Sequence, residues 1–298
     1  MESTNPLPHL PTLSRCLVMG IVNVTPDSFS DGGQWDDTHA AVERGRQLAA
    51  EGADIIDVGG ESTRPGADRV SVEEELRRVH PVVGELARQG IVTSVDTMRA
   101  EVAEAAVAAG ARIVNDVSGG LADPAMADVV ARSGVGYVVS HWRGHSRGMQ
   151  DQASYTDVVT DVVTELETRM TELRDSGVHP EQMVLDPGLG FAKSVAEGHN
   201  WSLLAGIQEL RRLGRPVLVG ASRKRFLGHL LRASDEELRP APGRDDATVA
   251  LTALAAYHGA WAVRVHEVSG NADAVRVADA WRGAADGMPA ATTGGGAW

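Results

Sequence analysis

Short apolar runs alternate along the chain with longer segments of helical periodicity. The runs are rich in valine, isoleucine and leucine, and each is closed by glycine or polar residues. They predict eight strands, at 17–23, 54–59, 91–96, 112–116, 135–141, 183–186, 217–221 and 262–266. Segments in which apolar residues recur every three or four positions predict helices at 39–51, 72–89, 99–109, 155–176 and 247–259. Because strands that alternate with helices pair in parallel with both faces covered, the pattern predicts an α/β fold.

The number of these units favours a closed barrel over an open sheet. About eight strand–helix units in 298 residues fit a (β/α)8 TIM barrel better than a doubly wound sheet. An open dinucleotide-binding sheet would carry Gly-x-Gly-x-x-Gly after its first strand, where this chain has Asn23-Val24-Thr25-Pro26. We therefore predict a single barrel domain at 15–287, an extended segment at 1–14 and a disordered tail at 288–298. The acidic, proline-containing stretch 234–246 is expected to be a solvated loop or short helix.

Charge and cysteine content narrow the class of protein. The formal net charge of −13 argues against a nucleic-acid-binding protein, which would normally show a basic face. The one cysteine, Cys16, excludes an internal disulfide framework and favours a reducing compartment, so we expect a cytoplasmic protein. No apolar run approaches the roughly 18 residues that a membrane helix needs, and the residues before Cys16 lack the pattern of a signal peptide.

Nearly every predicted strand ends in a side chain that can ionise or form hydrogen bonds. In a barrel these ends converge on one mouth, where active sites lie. A single aspartate at a strand end is more often a structural residue, but a whole ring of such groups needs partners. The ring consists of Asn23, Glu61, Ser62, Thr63, Arg64, Asp96, Asn115, Asp116, His141, Arg143, Asp186, Ser222, Arg223, Lys224, Arg225, Arg264 and His266.

The ring divides by charge into two sets. Asp96, Asn115 and Asp186 offer two carboxylates and an amide, which suit a flat heterocycle with several N–H groups. A cationic set suits phosphate, because guanidinium groups bind phosphate oxygens bidentately and a lysine adds a compact charge. Its members are Arg64, Arg223, Lys224, Arg225, Arg264 and His266. Asn23, with Asp27 and Asp31 nearby, could help to hold Mg²⁺ beside a diphosphate. The residues alone thus indicate an enzyme that binds a heterocycle with an attached phosphate or diphosphate.

Seven short segments carry these strand-end residues. They are NVTPDSFS (23–30), GESTRPG (60–66), SVDT (94–97), VNDVSGG (114–120), LDPGLGF (185–191), GASRKRF (220–226) and RVH (264–266). Together, and in this order over about 18–268, they resemble the dihydropteroate synthase family, in a composition of actinobacterial type. The resemblance implies a transferase of folate biosynthesis. Such an enzyme condenses 6-hydroxymethyl-7,8-dihydropterin diphosphate with 4-aminobenzoate to 7,8-dihydropteroate and releases pyrophosphate.

The resemblance also implies roles for residues that match the family's motifs. Asp96, Asn115, Asp186 and Lys224 are expected to hold the pterin ring, with Asp96, Asp186 and Lys224 acting in catalysis. Asn23 is expected to bind Mg²⁺ with the diphosphate. The residues implied for the phosphate groups are Thr63, Arg64, Arg264 and His266. Those implied to border the aminobenzoate pocket, where sulfonamides bind, are Pro65, Phe191 and the segment 222–225 that begins with Ser222.

The same resemblance implies which loops move, how the reaction proceeds and how the protein assembles. Segments 25–33 and 63–69 match two loops that order over the site in the reacting complex. Diphosphate is expected to leave first, giving a carbocation-like methylene that Asp96 and Asp186 stabilise and that the arylamine then attacks. The family usually forms homodimers through its last helices. The segment 247–259 is apolar enough to take part, although a core-facing helix would look the same.

The sequence departs from the family pattern at two places, and these departures leave two alternative functions to consider. After the fifth strand the family commonly reads Met-His-Met-x-Gly-x-Pro, and this chain has SHWRGHS at 140–146. Glu267 follows Arg-Val-His where the family often has aspartate. One alternative is a non-catalytic or weakly active second homologue that binds pterin in a regulatory or unknown role. Another is a pterin-using barrel such as a corrinoid methyltransferase, which should lack the Ser-Arg-Lys-Arg and Arg-Val-His cations of this chain.

Overall fold

The computed structural model describes residues 7, 10, 13–24, 34–61, 69–144, 152–233 and 237–285. The strands are β1 (Leu17–Asn23), β2 (Ile55–Gly59), β3 (Thr93–Asp96), β4 (Ile113–Asp116), β5 (Gly136–Ser140), β6 (Met183–Asp186), β7 (Leu218–Val219) and β8 (Ala262–Val265). The helices are α1 (Gln34–Ala50), α2 (Val72–Arg88), α3 (Ala100–Ala109), α4 (Met126–Ser133), α5 (Val158–Asp175), α6 (His199–Ala205), α7 (Ile207–Arg211), α8 (Arg225–Leu230), α9 (Asp245–Tyr257) and α10 (Ser269–Ala285).

The eight strands form one parallel sheet that curls into a barrel. Their order is β6-β5-β4-β3-β2-β1-β8-β7. The remaining gap, between β6 and β7, is closed by a parallel bridge between Leu185 and Val217 and by the Leu185 amide, which donates to the Pro216 carbonyl at 2.8 Å. The predicted (β/α)8 TIM barrel and its eight strands are therefore confirmed.

Apolar side chains fill two separate layers, as the alternation along each strand requires. One layer lies between the sheet and the surrounding helices, and Val18, Val58 and Val95 belong to it. A smaller cluster fills the bottom of the barrel interior; it contains Leu7, Leu17, Met19, Ile55, Ile113, Val138, Val184, Leu218, Trp261 and Ala262. Leu7 is 2% exposed in this cluster, so one residue of the segment 1–14 packs into the barrel, which the sequence pattern did not predict.

The inward face of several strands changes from apolar to polar within one step of the pleat. On this face each apolar residue is followed, two positions later, by a polar one: Ile55 by Asp57, Ile113 by Asn115, Val184 by Asp186, and Ala262 by Arg264. Side chains two residues apart point to the same side of a strand. A dry apolar plug at the bottom of the barrel therefore supports a polar layer directly above it, at the carboxyl ends of the strands.

Helices α2 and α3 show how the sequence sets a helix start and a helix end. The Ser71 Oγ accepts a hydrogen bond from the Glu74 amide at 3.2 Å and so caps the start of α2. Helix α3 ends at Gly110, whose φ of 117° lies in the left-handed region. A Cβ at Gly110 would also lie 2.7 Å from the Ala87 Cβ, so only glycine lets α3 end against α2.

Several helices differ from the sequence prediction. The pattern did not predict α4, α6, α7, α8 or α10. In the stretch 234–246, residues 237–241 are irregular, Pro242–Arg244 form a single 3-10 turn, and Asp245 and Asp246 already belong to α9. Helix α9 thus begins two residues earlier than predicted, because these carboxylates stabilise the first turn of a helix. No helix in the described ranges is both long and apolar enough to cross a membrane.

Candidate active site

An open cavity of about 1540 Å³ lies at the carboxyl ends of the strands. It is lined by nine of the predicted site residues: Asn23, Asp96, Asn115, Asp186, Phe191, Ser222, Lys224, Arg264 and His266. The structure therefore brings these nine side chains together at one mouth of the barrel. The predicted site residues Thr63, Arg64 and Pro65 lie outside the described residues, as do Asp27, Asp31 and the segment 25–33.

The guanidinium of Arg264 lies between two buried carboxylates in the floor of this cavity. Its Nε donates to Asp57 Oδ2 and its Nη2 donates to Asp96 Oδ2, both at 2.6 Å. Asp57 also accepts from the Asn115 Nδ2 at 2.9 Å. Burial by itself would lower the pKa of Arg264, but the two carboxylates raise it above its usual value. Arg264 therefore stays charged and fixes the positions of the side chains from β2, β3, β4 and β8.

Asp96 keeps one oxygen free for another partner. Within the described chain, the buried Asp96 Oδ1 has no hydrogen-bond partner, and the same holds for Asp57 Oδ1. Burial raises the pKa of Asp96 to about 7; Arg264 opposes this shift and the neighbouring Asp57 adds to it. A buried acceptor without a partner is costly in a folded protein. An N–H donor on a ligand in this cavity would satisfy it.

Asp186 and Lys224 are two further charged groups of the floor, and each influences the pKa of the other. Burial raises the pKa of the Asp186 carboxyl, and Lys224 opposes that shift. One oxygen of Asp186 accepts from the Gly188 amide at 2.7 Å. The Lys224 ammonium donates to the Leu189 carbonyl and lies 4.5 Å from the centre of the Phe191 ring. Burial lowers the pKa of Lys224 to about 8, so it remains largely protonated at neutral pH.

The remaining predicted cations are held in different ways. His266 Nδ1 lies 2.9 Å from the Ser222 Oγ, and the His266 amide donates to the same oxygen at 3.2 Å. These contacts join the end of β8 to the segment after β7. Arg223 makes a two-pronged ion pair with Asp245, with both distances 2.7 Å. The charge of Arg223 is therefore balanced by the first turn of α9.

The unusual segment after β5 is anchored to α5. His141 Nε2 lies 2.8 Å from Glu165 Oε2, and Arg143 bonds both oxygens of the same carboxylate. Arg143 also donates to the Ser154 carbonyl at 2.7 Å and stacks over the Tyr155 ring at 3.8 Å. Burial lowers the pKa of His141 to about 4, so the imidazole is neutral. His145 and Ser146 lie outside the described residues.

Asp57 and Lys193, in or beside the cavity, are not among the site residues predicted from the sequence. Asp57 is fully buried and orients Arg264 and Asn115. A carboxylate inside the apolar run Ile55-Ile56-Asp57-Val58 is the signal that could have revealed it, because such a group needs a partner. Lys193 is 1% exposed and lines the cavity; its Nζ lies 3.0 Å from both the Phe191 carbonyl and His141 Nδ1.

The environment of Asn23 suits an oxygen-bound cation. A Cβ at Gly59 would lie 3.8 Å from Asn23 Oδ1 and 3.6 Å from Asp96 Oδ2, so glycine leaves a space beside these two oxygens. Mg²⁺ prefers oxygen ligands and commonly keeps water or phosphate as its other partners. Among the described residues, no group of three or more His, Cys, Asp or Glu could hold a metal ion. Because Asp96 Oδ2 already accepts from Arg264 Nη2, Asn23 Oδ1 is the oxygen that fits a cation bringing the rest of its own coordination.

Comparison with known proteins decides the family. The family model for pterin-binding enzymes matches residues 19–266. The chain is 54% identical over 271 residues to the dihydropteroate synthase of Mycobacterium leprae (strain TN), covering 91% of this chain and 95% of that protein. The chain belongs to the dihydropteroate synthase family of pterin-binding enzymes. Both the family and the actinobacterial type expected from the sequence are thereby confirmed.

Solved structures of the family share this barrel. Dihydropteroate synthase of Xanthomonas albilineans with 4-aminobenzoic acid superposes with a TM-score of 0.83 at 46% identity, covering 94% of this chain and 96% of that chain. The structure of the enzyme from the same organism in complex with 7,8-dihydropteroate gives a TM-score of 0.80 at 44% identity, covering 94% and 97%.

The raised pKa of Asp96 predicts a pH dependence of stability. A carboxyl whose pKa is higher in the folded protein than in the unfolded chain stabilises the fold below the unfolded value, and this contribution is lost as the pH rises toward about 7. We expect the free energy of unfolding to fall between about pH 4 and pH 7, and to fall less in Asp96→Asn. Urea denaturation at several pH values measures both slopes. Equal slopes for the two proteins would contradict the assigned environment of Asp96.

Proposed function

We propose that this protein is a dihydropteroate synthase that joins 6-hydroxymethyl-7,8-dihydropterin diphosphate to 4-aminobenzoate. The products are 7,8-dihydropteroate and pyrophosphate. One observation carries the proposal. Asp96, Asn115, Asp186 and Lys224 face one cavity above the apolar plug, in a chain 54% identical to a dihydropteroate synthase.

The polar floor matches the hydrogen-bonding edge of a pterin. Because the Asn115 Nδ2 donates to Asp57, its amide oxygen is left to accept from a ligand. Asp96 Oδ1 and the Asp186 carboxylate supply further acceptors for ring N–H groups, and Lys224 supplies a donor for a ring nitrogen or oxygen. The pterin would lie flat across the floor, with its methylene directed toward the mouth.

The reaction needs these same charges when the diphosphate leaves. The methylene C–O bond breaks with its electron pair on the diphosphate, and a positive charge spreads over the methylene and the pterin. Asp96 and Asp186 would stabilise that charge, because both carboxylates are fixed before the reaction starts. The groups proposed to take the departing phosphates are Thr63, Arg64, Arg264 and His266.

The second substrate would enter on the Phe191 side of the cavity. The Phe191 ring and Lys224 form one wall, and Ser222 lies beside them; Pro65 is proposed to complete it. The arylamine nitrogen, uncharged at neutral pH, attacks the methylene, the new C–N bond forms, and the nitrogen then loses one proton. Sulfonamides, which resemble 4-aminobenzoate, would compete for this wall.

Mg²⁺ is proposed to bind with the diphosphate at Asn23. The space left by Gly59 beside Asn23 and Asp96 supports this position. A bound Mg²⁺ would neutralise diphosphate charge and so favour its departure. Asn23 itself would orient the diphosphate end of the substrate toward the mouth of the barrel.

A direct assay tests the proposed activity. Purified protein with Mg²⁺, pterin diphosphate and 4-aminobenzoate should release pyrophosphate in step with 7,8-dihydropteroate. Omission of either substrate or of Mg²⁺ serves as the control. Tight pterin binding without turnover would instead identify a non-catalytic homologue and overturn the proposal.

Substitution of Asp96 tests the role of the floor in binding. Asp96→Asn keeps the size of the side chain but removes the charged acceptor, and a hydrogen bond to a charged group contributes about 1.5–3 kcal/mol. We expect the Kd for pterin diphosphate to rise by roughly tenfold or more and turnover to fall with it. Calorimetry and the pyrophosphate assay measure both, and the exposed-surface variant Glu104→Gln is the control. Unchanged pterin diphosphate binding by Asp96→Asn would show that Asp96 does not hold the pterin.

Homodimer formation through the last helices is also proposed. Leu254 on α9 is 57% exposed, and Val277 and Trp281 on α10 are 61% and 67% exposed. The Tyr257 and Trp281 rings lie 5.8 Å apart, so the two helices share one apolar surface. An exposed apolar surface of this kind is typical of a protein–protein contact.

Sedimentation velocity tests this dimer. Trp281→Glu places a charge in the apolar surface and should shift the protein from dimer to monomer. Leu121→Glu, at a residue that is 49% exposed on another part of the barrel, should leave the dimer intact. A wild-type protein that sediments as a monomer at micromolar concentration would contradict the proposal. The cytoplasmic location expected from the sequence stays a prediction.

A further inference from the structure

The loop after β6 carries Phe191, the aromatic wall of the proposed arylamine site, on an unusual backbone turn. The Phe191 amide donates to the Gly188 carbonyl at 3.0 Å, and the next residue, Ala192, has a φ of 47°. Ala192 is fully buried. A residue other than glycine is unfavourable in this left-handed region, and it stays there when its surroundings hold it. We call residues 188–193 the Phe191 turn.

Tyr155 holds the strained residue of this turn. Its hydroxyl donates to the Ala192 carbonyl at 2.9 Å. Burial raises the pKa of Tyr155 to about 12, so the hydroxyl keeps its proton and remains a donor at neutral pH. Because the bond is made to the strained residue itself, it opposes rotation of Ala192 into a more relaxed conformation.

The Tyr155 ring is itself fixed by its neighbours. The Arg143 guanidinium lies over the ring, 3.8 Å from its centre, and the His199 ring meets it edge to face with centres 5.0 Å apart. Arg143 is in turn bonded to both carboxylate oxygens of Glu165 on α5. The altered segment after β5 therefore supplies the arginine that holds the tyrosine in place.

Two other side chains hold the Phe191 turn on either side of its aromatic residue. The Gly190 amide donates to Asn200 Oδ1 at 2.7 Å, and the Lys193 Nζ donates to the Phe191 carbonyl at 3.0 Å. A Cβ at Gly190 would lie 3.1 Å from the Lys224 Cδ, so the turn packs directly against the lysine of the floor. The backbone of the turn therefore sets where the Phe191 ring stands.

The position of this ring matters for one side of the cavity only. Phe191 and Lys224 line the cavity together, with the Lys224 ammonium 4.5 Å from the ring centre. Asp96 and Asn115 stand instead on β3 and β4, where the ladder of the barrel fixes them. A change in the turn should therefore move the arylamine wall and leave that part of the pterin floor in place.

We propose that Tyr155, held by Arg143, is a positioning residue for the arylamine substrate. Its bond to the Ala192 carbonyl keeps the Phe191 turn in the strained form that places the Phe191 ring at the arylamine wall. Tyr155 acts from behind the turn, because it does not line the cavity. The inference rests on the proposed function and adds to it a residue that does not touch the substrate.

Removal of the Tyr155 hydroxyl tests this role. In Tyr155→Phe the ring stays and one hydrogen bond is lost, so we expect KM for 4-aminobenzoate to rise about three- to tenfold. The Kd for pterin diphosphate should stay within about twofold. Tyr257→Phe removes the same atom from a partly exposed tyrosine on α9 that does not line the cavity, and it should change neither value. An unchanged KM in Tyr155→Phe, or an equal weakening of both substrates, would overturn the proposal.

A second substitution shows whether the hydroxyl acts through Ala192. Glycine adopts a positive φ without the steric cost that alanine has, so Ala192→Gly should let the turn keep its form without help from Tyr155. We expect the double variant Tyr155→Phe/Ala192→Gly to return KM for 4-aminobenzoate to within about twofold of the wild-type value. A KM that stays as high as in Tyr155→Phe would overturn the proposal, because the effect would then not pass through the strain at Ala192.

Crystal structures of the wild type and of Tyr155→Phe separate this inference from the proposed function. In the variant, Ala192 should leave the left-handed region and the Phe191 ring should move away from Lys224, whereas the wild type keeps both. If the turn is unchanged in Tyr155→Phe, the inference fails and the synthase proposal stands. If the wild type turns over no arylamine, the synthase proposal fails, and these two structures still decide whether Tyr155 positions Phe191.

Discussion

The Arg264 guanidinium lies between Asp57 and Asp96, and the arrangement of the whole floor depends on these two ion pairs. Two carboxylates this close in a buried site would repel each other. A single arginine compensates both, and Asn115 adds a hydrogen bond to Asp57. These contacts connect side chains of β8, β2, β3 and β4. In the sheet, β1 lies between β8 and β2. Loss of the arginine would leave buried charge uncompensated, which typically costs several kcal/mol.

The apolar plug beneath the floor gives these ion pairs their geometry. Met19, Ile55, Ile113 and Val184 fill the barrel just below the charged layer and exclude water from it. In such surroundings electrostatic interactions are stronger and side chains have fewer alternative positions. The polar groups are therefore oriented before any ligand arrives, which is the condition for electrostatic stabilisation of a developing charge.

Much of the fold could be predicted from the sequence because a buried parallel strand leaves a short apolar run. All eight strands and the helices α1, α2, α3, α5 and α9 are predicted in this way, whereas the 17-residue α10 is not. The short helices α6, α7 and α8, of five to seven residues, were not, because one or two turns contain too few positions to show a period. Asp245 and Asp246 resemble a loop by composition and nevertheless open α9, because acidic residues stabilise the first turn of a helix.

Site residues were predictable where a polar side chain stands at the end of a strand, as at Asp96, Asn115 and Asp186. It was less predictable where the partner is distant in sequence. Arg264 and Asp57 are separated by 207 positions, and no local pattern indicates that they meet. Arg143 and Glu165 likewise pair across 22 positions, so the altered segment after β5 gave no sign that its arginine holds α5. Lys193 is buried beside His141, although its sequence context resembles an exposed loop.

The claim that the floor is a preformed pterin site is tested most directly by a crystal structure with 6-hydroxymethyl-7,8-dihydropterin diphosphate bound. The account predicts a flat ring that donates to Asp96 Oδ1, the Asn115 amide oxygen and the Asp186 carboxylate, while Arg264 keeps both of its aspartate partners. A ligand bound elsewhere in the cavity, or an Arg264 that leaves Asp57 and Asp96 to bind the ring, would contradict it.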